Sequence, residues 1–216
     1  MGPTVFLVDA DPRSRHLSAS LLGTLGVTVL DLADAQALLD GCSADQAGCI
    51  VTELRLPDLD GLALQAELKR RDCLQPLIVL SRHATVASAI QALKAGAFDV
   101  LEQPVERERL ATQVQAALEE DERRRQRSAC QRAVRQRWMQ LTPREHEVLR
   151  LTLQGLVNKL IAAELGISHR TVEIHRARAM QKMGAANSLM LARMVLIDPD
   201  LLGELGSLEA QPALTT

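Results

Sequence analysis

Ser168-His169-Arg170-Thr171-Val172-Glu173-Ile174-His175-Arg176-Ala177-Arg178-Ala179-Met180-Gln181-Lys182-Met183 reads as one amphipathic helix. Ser168 is an N-cap, because its hydroxyl can accept an amide left open in the first turn. Gly184 is the stop, since glycine enters the left-handed conformation without steric cost. At roughly 100° per residue, Val172, Ala179 and Met183 share one face, with Met180 beside them. Arg170, Ile174, Ala177, Arg178 and Gln181 lie opposite, flanked by Thr171 and Glu173. Cations, polar groups and small apolar groups together suit a surface that reads base edges in a major groove.

Upstream, Asn158 to Leu165 reads as a short helix, and Gly166-Ile167 as the turn into the long one. Helix, glycine turn and second helix make a helix-turn-helix. A further helix from Pro143 to Leu153 opens with Thr142 as N-cap, Pro143 in the first turn and Glu145 three residues on, a capping-box pattern. A fourth, from about Ser188 to Leu196, closes the bundle. The alternative is an ordinary four-helix bundle with a solvated basic face.

Charge separates the two halves. Residues 1–118 carry 15 acidic and 10 basic side chains, whereas residues 123–193 carry 15 basic and 4 acidic ones. An acidic half joined to a basic half places a nucleic-acid-binding module on one side only. Only Phe6, Phe98 and Trp138 are aromatic. The cores are therefore aliphatic, and single-strand binding by base stacking is disfavoured. Cys42, Cys49, Cys73 and Cys130 have no zinc spacing, and reduced thiols in a cytoplasm are the simple expectation, with redox sensing as the alternative. No apolar run reaches the ~18 residues a membrane span requires, and no signal peptide is apparent.

In the first half, apolar runs end in polar residues: Thr4–Val8 in Asp9, Gly48–Thr52 in Glu53, Pro76–Leu80 in Ser81, and 98–102 before Gln103-Pro104. Val27–Leu30 supplies a fifth. Helical stretches near 12–25, 34–41, 61–71, 85–95 and 104–120 alternate with them. Continuous apolar strands indicate a parallel sheet buried on both faces. The fold expected is an α/β doubly wound parallel five-stranded domain followed by an all-α four-helix helix-turn-helix domain. In such sheets sites form beyond the carboxyl ends of the strands, which gathers Asp9, Asp11, Glu53, Ser81 and Gln103. Capping of strand ends is the plain alternative for these residues.

Two resemblances follow from these motifs. Leu141-Thr-Pro-Arg-Glu-His-Glu-Val-Leu149, Asn158-Lys-Leu-Ile-Ala-Ala-Glu-Leu-Gly-Ile-Ser168 and Arg170-Thr-Val-Glu-Ile-His-Arg176 resemble the LuxR-type DNA-binding domain, and more narrowly the FixJ-like response regulators. The resemblance implies duplex DNA binding, usually by a dimer. Val8-Asp9, Glu53-Leu-Arg-Leu-Pro-Asp-Leu-Asp-Gly61, Ser81, Lys94-Ala-Gly-Ala97 and Gln103-Pro104 resemble a response-regulator receiver domain. In receivers an aspartate ending the third strand accepts a phosphoryl group, and paired acids after the first strand hold Mg²⁺. A Ser or Thr and a Lys bind the phosphoryl oxygens, and the Lys-Pro bond is commonly cis.

Against that pattern the phosphoacceptor position holds Glu53. The second Mg²⁺ acid is Ala10, with Asp11 one residue out of register. The lysine is Gln103 and the aromatic switch position is Val100. Only Asp9 and Ser81 keep their stations. Phosphoryl transfer needs charge neutralisation by a metal and a cation, so Mg²⁺ binding should be weak and no cofactor is expected. Glu53 would mimic the phosphorylated state in part, with about one negative charge where a phosphoryl group carries nearly two. The domain then is either locked near its active form as a dimerisation scaffold, or answers a ligand, partner or redox signal. Asp58 and Asp60 are weak substitutes as acceptors, since both lie in the loop before Gly61.

The division expected is a receiver-like domain at 1–118, a helical connector at 119–140, the DNA-binding domain at 141–197 and a tail at 198–216. Glu119-Glu-Asp-Glu-Arg-Arg-Arg-Gln-Arg127 favours helix, with pairing of Glu119 to Arg123 and Asp121 to Arg125. Arg123 to Arg137 would form a solvated face or add phosphate attraction, and Trp138 would pack near the domain junction. For DNA, Lys159, Ser168, Arg170, Thr171, Arg176 and Lys182 are candidates for phosphate, and Glu173, Ile174, Ala177 and Arg178 for base edges. Arg176 and His175 lean toward the inner face. The leading reading is a DNA-binding transcriptional regulator, not an enzyme, whose receiver works without phosphorylation. The expected partners are double-stranded DNA, a second copy and RNA polymerase, with a sensor kinase left open. A phosphorylation-switched regulator with an unusual site, and a signalling protein acting by protein–protein contact, are the alternatives.

Overall fold

The computed structural model describes residues 2–43, 45–82, 85–198 and 200–201. They fall in two compact units, Met1–Arg125 and Gln126–Thr216. The border lies inside the segment read as a connector. Most of the proposed tail, 202–216, lies outside the described residues.

The first unit alternates strand and helix: β1 (Thr4–Val8), α1 (Pro12–Gly23), β2 (Thr28–Leu32), α2 (Ala35–Gly41), β3 (Gly48–Glu53), α3 (Gly61–Arg70), β4 (Leu77–Ser81), α4 (Val86–Ala95), β5 (Asp99–Glu102) and α5 (Arg107–Met139). The strands form one parallel sheet in the order β2-β1-β3-β4-β5. Successive side chains of a strand point to opposite faces, so each central strand feeds two cores. Phe6, Val8, Ile50 and Val79 meet Leu38, Leu64 and Leu68 of α2 and α3 on one face. Val5, Leu7, Val51, Ile78 and Leu80 meet Leu22 of α1 and Leu110 and Val114 of α5 on the other.

Edges account for the misplaced boundaries. Strand β2 runs two residues beyond the expected Val27–Leu30 because it is half exposed and takes Asp31 in its stride. Asp31 lies 3.9 Å from Arg15. Helix α5 starts at Arg107 rather than 104, after the cis Gln103–Pro104 bond. At the opposite end of the sheet, β3 opens on Gly48. A Cβ there would lie 1.8 Å from the Thr4 carbonyl oxygen, so only glycine fits.

Helix α5 is one element of 33 residues. Its first part buries Leu110, Val114, Ala117 and Leu118 in the first unit; its last part buries Val134 and Trp138 in the second. Between them the buried side chain is Asp121. Its carboxylate accepts from the Gly48 amide at 2.9 Å and from Arg125 at 2.7 Å, and Arg125 donates onward to the carbonyls of Asp45 and Gln46. The expected Glu119–Arg123 pair is replaced by Glu120, which faces both Arg123 and Arg124. One turn of α5 is thus held by ions, not by apolar packing.

The second unit adds α6 (Pro143–Leu153), α7 (Asn158–Leu165), α8 (His169–Met183) and α9 (Ser188–Ile197). Its core has two parts. Val148, Leu151, Ile161 and Val172 lie under the turn between α7 and α8. Trp138, Leu149, Ala179, Met183, Leu191 and Val195 join the end of α5 to α6, α8 and α9. The Trp138 ring meets His146 edge-on at 4.6 Å. So the bundle's core takes in the last turns of α5, ahead of the expected start at 141. Arg135 pairs with Asp198 at 2.7 Å, which pins the chain just after α9.

Candidate functional site

Two surfaces concentrate polar chemistry. The first is the carboxyl edge of the sheet. Asp9 directly follows β1 and is 3% exposed. Its Oδ1 accepts from the Asp11 amide at 2.9 Å, and its Oδ2 is buried without a partner. Ala10 offers no ligand. Asp11 caps α1 by accepting from the Arg13 amide. Glu53 ends β3, and its Oε1 accepts from the Leu54 amide at 3.1 Å. Ser81 is buried at the end of β4, where its carbonyl accepts from the Gln103 amide at 2.8 Å. Val100 is half-buried against the α2–α3 core.

Above these residues lies Arg82. It donates to Asp11 Oδ2 at 2.8 Å and to Gln103 Oε1 at 3.0 Å. The hydrogen bond from Arg82, reinforced by the Arg13 amide, holds the Asp11 carboxyl below its usual range. The lysine lost at position 103 is not restored there; Arg82 instead brings a cation to the edge from the loop after β4. With Arg82 seated on Asp11, the edge is not arranged for Mg²⁺. Such an ion needs oxygen ligands converging on one octahedral centre, but Asp11 is engaged by Arg82 and by its helix, and the residue 10 side chain has no oxygen to give. Among the described residues no group of three or more His, Cys, Asp or Glu could hold a metal ion. Asp58 and Asp60 are caps: Asp58 accepts from the Ala35 and Gln36 amides, and Asp60 from the Leu62 amide.

The second surface is the outer face of α8. The Ser168 hydroxyl accepts from the Thr171 amide at 3.0 Å, and Gly184 closes the helix in the left-handed conformation. Arg170 stands 82% exposed, 3.6 Å from Glu173, which also lies 3.7 Å from His169. Ile174, Ala177 and Arg178 line the same face, and Lys159 is exposed at the start of α7. A cleft of about 720 Å³ opens beside it, lined among others by Asn158, Glu173, Ile174 and Ala177.

Two phosphate candidates make contacts within the bundle: Arg176, in line with its inward lean, and Lys182. Arg176 donates to Asn158 Oδ1 at 2.8 Å and to Ser188 Oγ at 3.0 Å, bracing α7 and α9 against α8. Lys182 donates to Glu145 Oε2 at 2.6 Å and to the Gln140 carbonyl at 3.2 Å. The connector arginines are similarly engaged. Arg124 donates to the Leu74 carbonyl, Arg125 to Asp121, Arg135 to Asp198 and Asp200, and Arg137 to the Met183 carbonyl. These four hold internal acceptors, while Arg124, Arg135 and Arg137 stay exposed on the solvated face expected for this stretch.

Comparison with known proteins joins the two surfaces. Residues 5–115 match the response regulator receiver domain, and residues 139–195 match the bacterial regulatory proteins of the luxR family. The transcriptional regulatory protein FixJ of Bradyrhizobium diazoefficiens is 35% identical over 192 residues, covering 89% of this chain and 94% of FixJ. The chain is a FixJ-like response regulator. The C4-dicarboxylate transport transcriptional regulatory protein DctR of Rhodobacter capsulatus is 37% identical over 196 residues, 90% of this FixJ-like chain and all of DctR. Among solved structures, the response regulator StyR superposes with a TM-score of 0.81 at 35% identity, covering 91% of this chain and 99% of StyR.

This FixJ-like chain is thus a DNA-binding transcriptional regulator, placed among regulators and not enzymes. No helix among its described residues is long and apolar enough to cross a membrane. Sequence reasoning missed Arg82, although it directly follows Ser81 at the sheet's carboxyl edge. It also missed Asn158 and Ser188 as partners of Arg176. Their signal was weaker, since the meeting of three helices is not visible in the spacing of any one.

Proposed function

We propose that this regulator grips duplex DNA with the outer face of α8, as a dimer, and that its receiver performs without accepting a phosphoryl group. Arg170, Thr171, Ser168 and Lys159 position the backbone, and Glu173, Ile174, Ala177 and Arg178 face base edges. Glu173 would accept from a cytosine amine, and Ile174 or Ala177 would touch a thymine methyl. Two copies present two such helices to half-sites about one helical turn apart.

The observation that carries the receiver half of the reading is the Arg82–Asp11 pair at 2.8 Å. It engages the carboxylate best placed to replace the acid missing at residue 10. In-line transfer depends on a metal and a fixed cation at the migrating phosphoryl; here Ala10 brings no ligand, and the cation is already committed to Asp11 and Gln103. Glu53 carries its charge one methylene farther out than an aspartate would, in partial imitation of the phosphorylated state.

The test is incubation of the purified protein with ³²P-labelled acetyl phosphate and Mg²⁺. The expected result is no stable label and no change in DNA affinity. Stoichiometric labelling at residue 53 overturns the receiver half. A protein that ignores all double-stranded DNA at low salt overturns the other half.

A further inference from the structure

We propose that the Arg82 guanidinium is this receiver's resident cation, taking in one side chain the place of the divalent ion. The inference rests on the reading that the domain is not phosphorylated. Three loops meet at the carboxyl edge of the sheet: one after β1, one after β4 and one after β5. Arg82, from the second, donates to Asp11 of the first at 2.8 Å and to Gln103 of the third at 3.0 Å. The guanidinium is planar, permanently charged and forked, so it can satisfy two acceptors on separate loops at once.

The carboxylates at the edge favour such a group. Asp9, Asp11 and Glu53 bring three carboxylates to one rim, and neither Ala10 nor Gln103 carries a charge toward Asp9 or Asp11. All three act on Arg82: the hydrogen bond to Asp11 dominates, and the charges of Asp9 and Glu53 add to it. Asp9 is the most telling, because its Oδ2 is buried with no hydrogen-bond donor. A buried acceptor without a donor is costly. A nearby positive charge that does not touch it offsets part of that cost. Arg82 thus both neutralises the rim and shuts out the competing ion: a metal would have to approach the same acids against a fixed like charge.

The experiment measures Mn²⁺ binding by the electron-paramagnetic-resonance signal of the free ion, on the full chain and with no phosphoryl donor present. Wild type and Arg82→Lys should show no saturable binding at this edge. Arg82→Gln keeps hydrogen-bonding capacity but removes the charge, and should bind Mn²⁺ at least about tenfold more tightly. Adding Asp9→Ala to Arg82→Gln should abolish that gain. Mg²⁺ should raise the melting temperature of Arg82→Gln and leave wild type unmoved.

Wild type binding Mn²⁺ as tightly as Arg82→Gln overturns the proposal. So does equal gain in Arg82→Lys and Arg82→Gln, since bulk and not charge would then be the cause. Should Arg82→Gln fail to fold alone, far-UV circular dichroism with added Mn²⁺ decides: recovery supports the exchange of one cation for the other, and no recovery counts against it. Labelling of wild type by acetyl phosphate would end the reading the proposal rests on. The metal titration contains no phosphate, so the two failures are told apart.

Discussion

Lys182 in the last turn of α8 lies 2.6 Å from Glu145 in the first turn of α6, and that carboxylate also accepts from the Thr142 amide at 2.8 Å. One buried acid therefore closes a capping box and anchors the end of α8. The Lys182 hydrogen bond, then the Thr142 amide, holds the Glu145 carboxyl below its ordinary value of 4.5. A depressed folded value means the contribution is complete above the ordinary value and disappears as pH falls through the depressed one. Glu145→Gln should cost the helical unit roughly 1.5 kcal/mol at neutral pH. In urea titrations the gap between wild type and variant should close below about pH 4; a gap that does not change with pH would deny the ion pair its role.

The same geometry separates two lysines that look alike in the sequence. Lys159→Ala should weaken binding to specific and random duplexes alike and lower the salt slope by about one unit. Lys182→Ala should leave that slope unchanged and instead lower the melting temperature. Glu173→Ala should alter base preference with little change on random DNA. Fluorescence anisotropy over a salt series reads all three, and equal losses on specific and random duplexes for Glu173→Ala would remove it from the base-reading set.

Asp121 is the ionic hold on the middle of α5. Asp121→Ala would leave the Gly48 amide and the Arg125 guanidinium without their shared acceptor, at a cost of roughly 3 kcal/mol in denaturant unfolding of the first unit. Glu119→Ala, two residues away and exposed, should stay within about 0.5 kcal/mol of wild type. Equal effects of the two would show that this turn needs no buried acid.

Thiol chemistry should be confined to one residue. Burial, with Cys73 beside it, pushes the Cys42 thiol up to about 12; burial, with Asp121 nearby, pushes Cys49 to about 12. Cys73 is buried, whereas Cys130 is exposed on α5. Since the thiolate is the reactive species, iodoacetamide at about pH 8 should label Cys130 first in the native protein, with the others following only on unfolding. Rapid native labelling of Cys42 by mass spectrometry would reopen a redox role.

What a sequence discloses, and what it withholds, divides here along physical lines. Capping residues signal locally: Ser168, Gly184 and the Thr142–Glu145 box act within one turn, so their roles lie in nearby letters. Apolar strand runs do the same for β1, β3 and β4. The edge strand β2 is blurred because half its side chains face water. Lys182 misleads because a helical wheel places a Cα, whereas a long side chain reaches several ångströms around the helix to a partner on another element; Arg176 leans inward on the wheel as it does in the structure, and only its partners on α7 and α9 are hidden from the spacing. Arg82 escapes because nothing in the spacing shows that a side chain one residue beyond Ser81 reaches Asp11 and Gln103 on two other loops.

Trp138 is the chain's only tryptophan, there is no tyrosine, and its indole is buried in the core of the second unit. Intrinsic emission excited near the red edge of protein absorbance therefore watches one half of the molecule and is blind to melting of the other. Ellipticity from the peptide bonds watches both. If the halves come apart at different temperatures, the two traces will part company, and the emission trace will name the half that has let go without any dye, tag or added label.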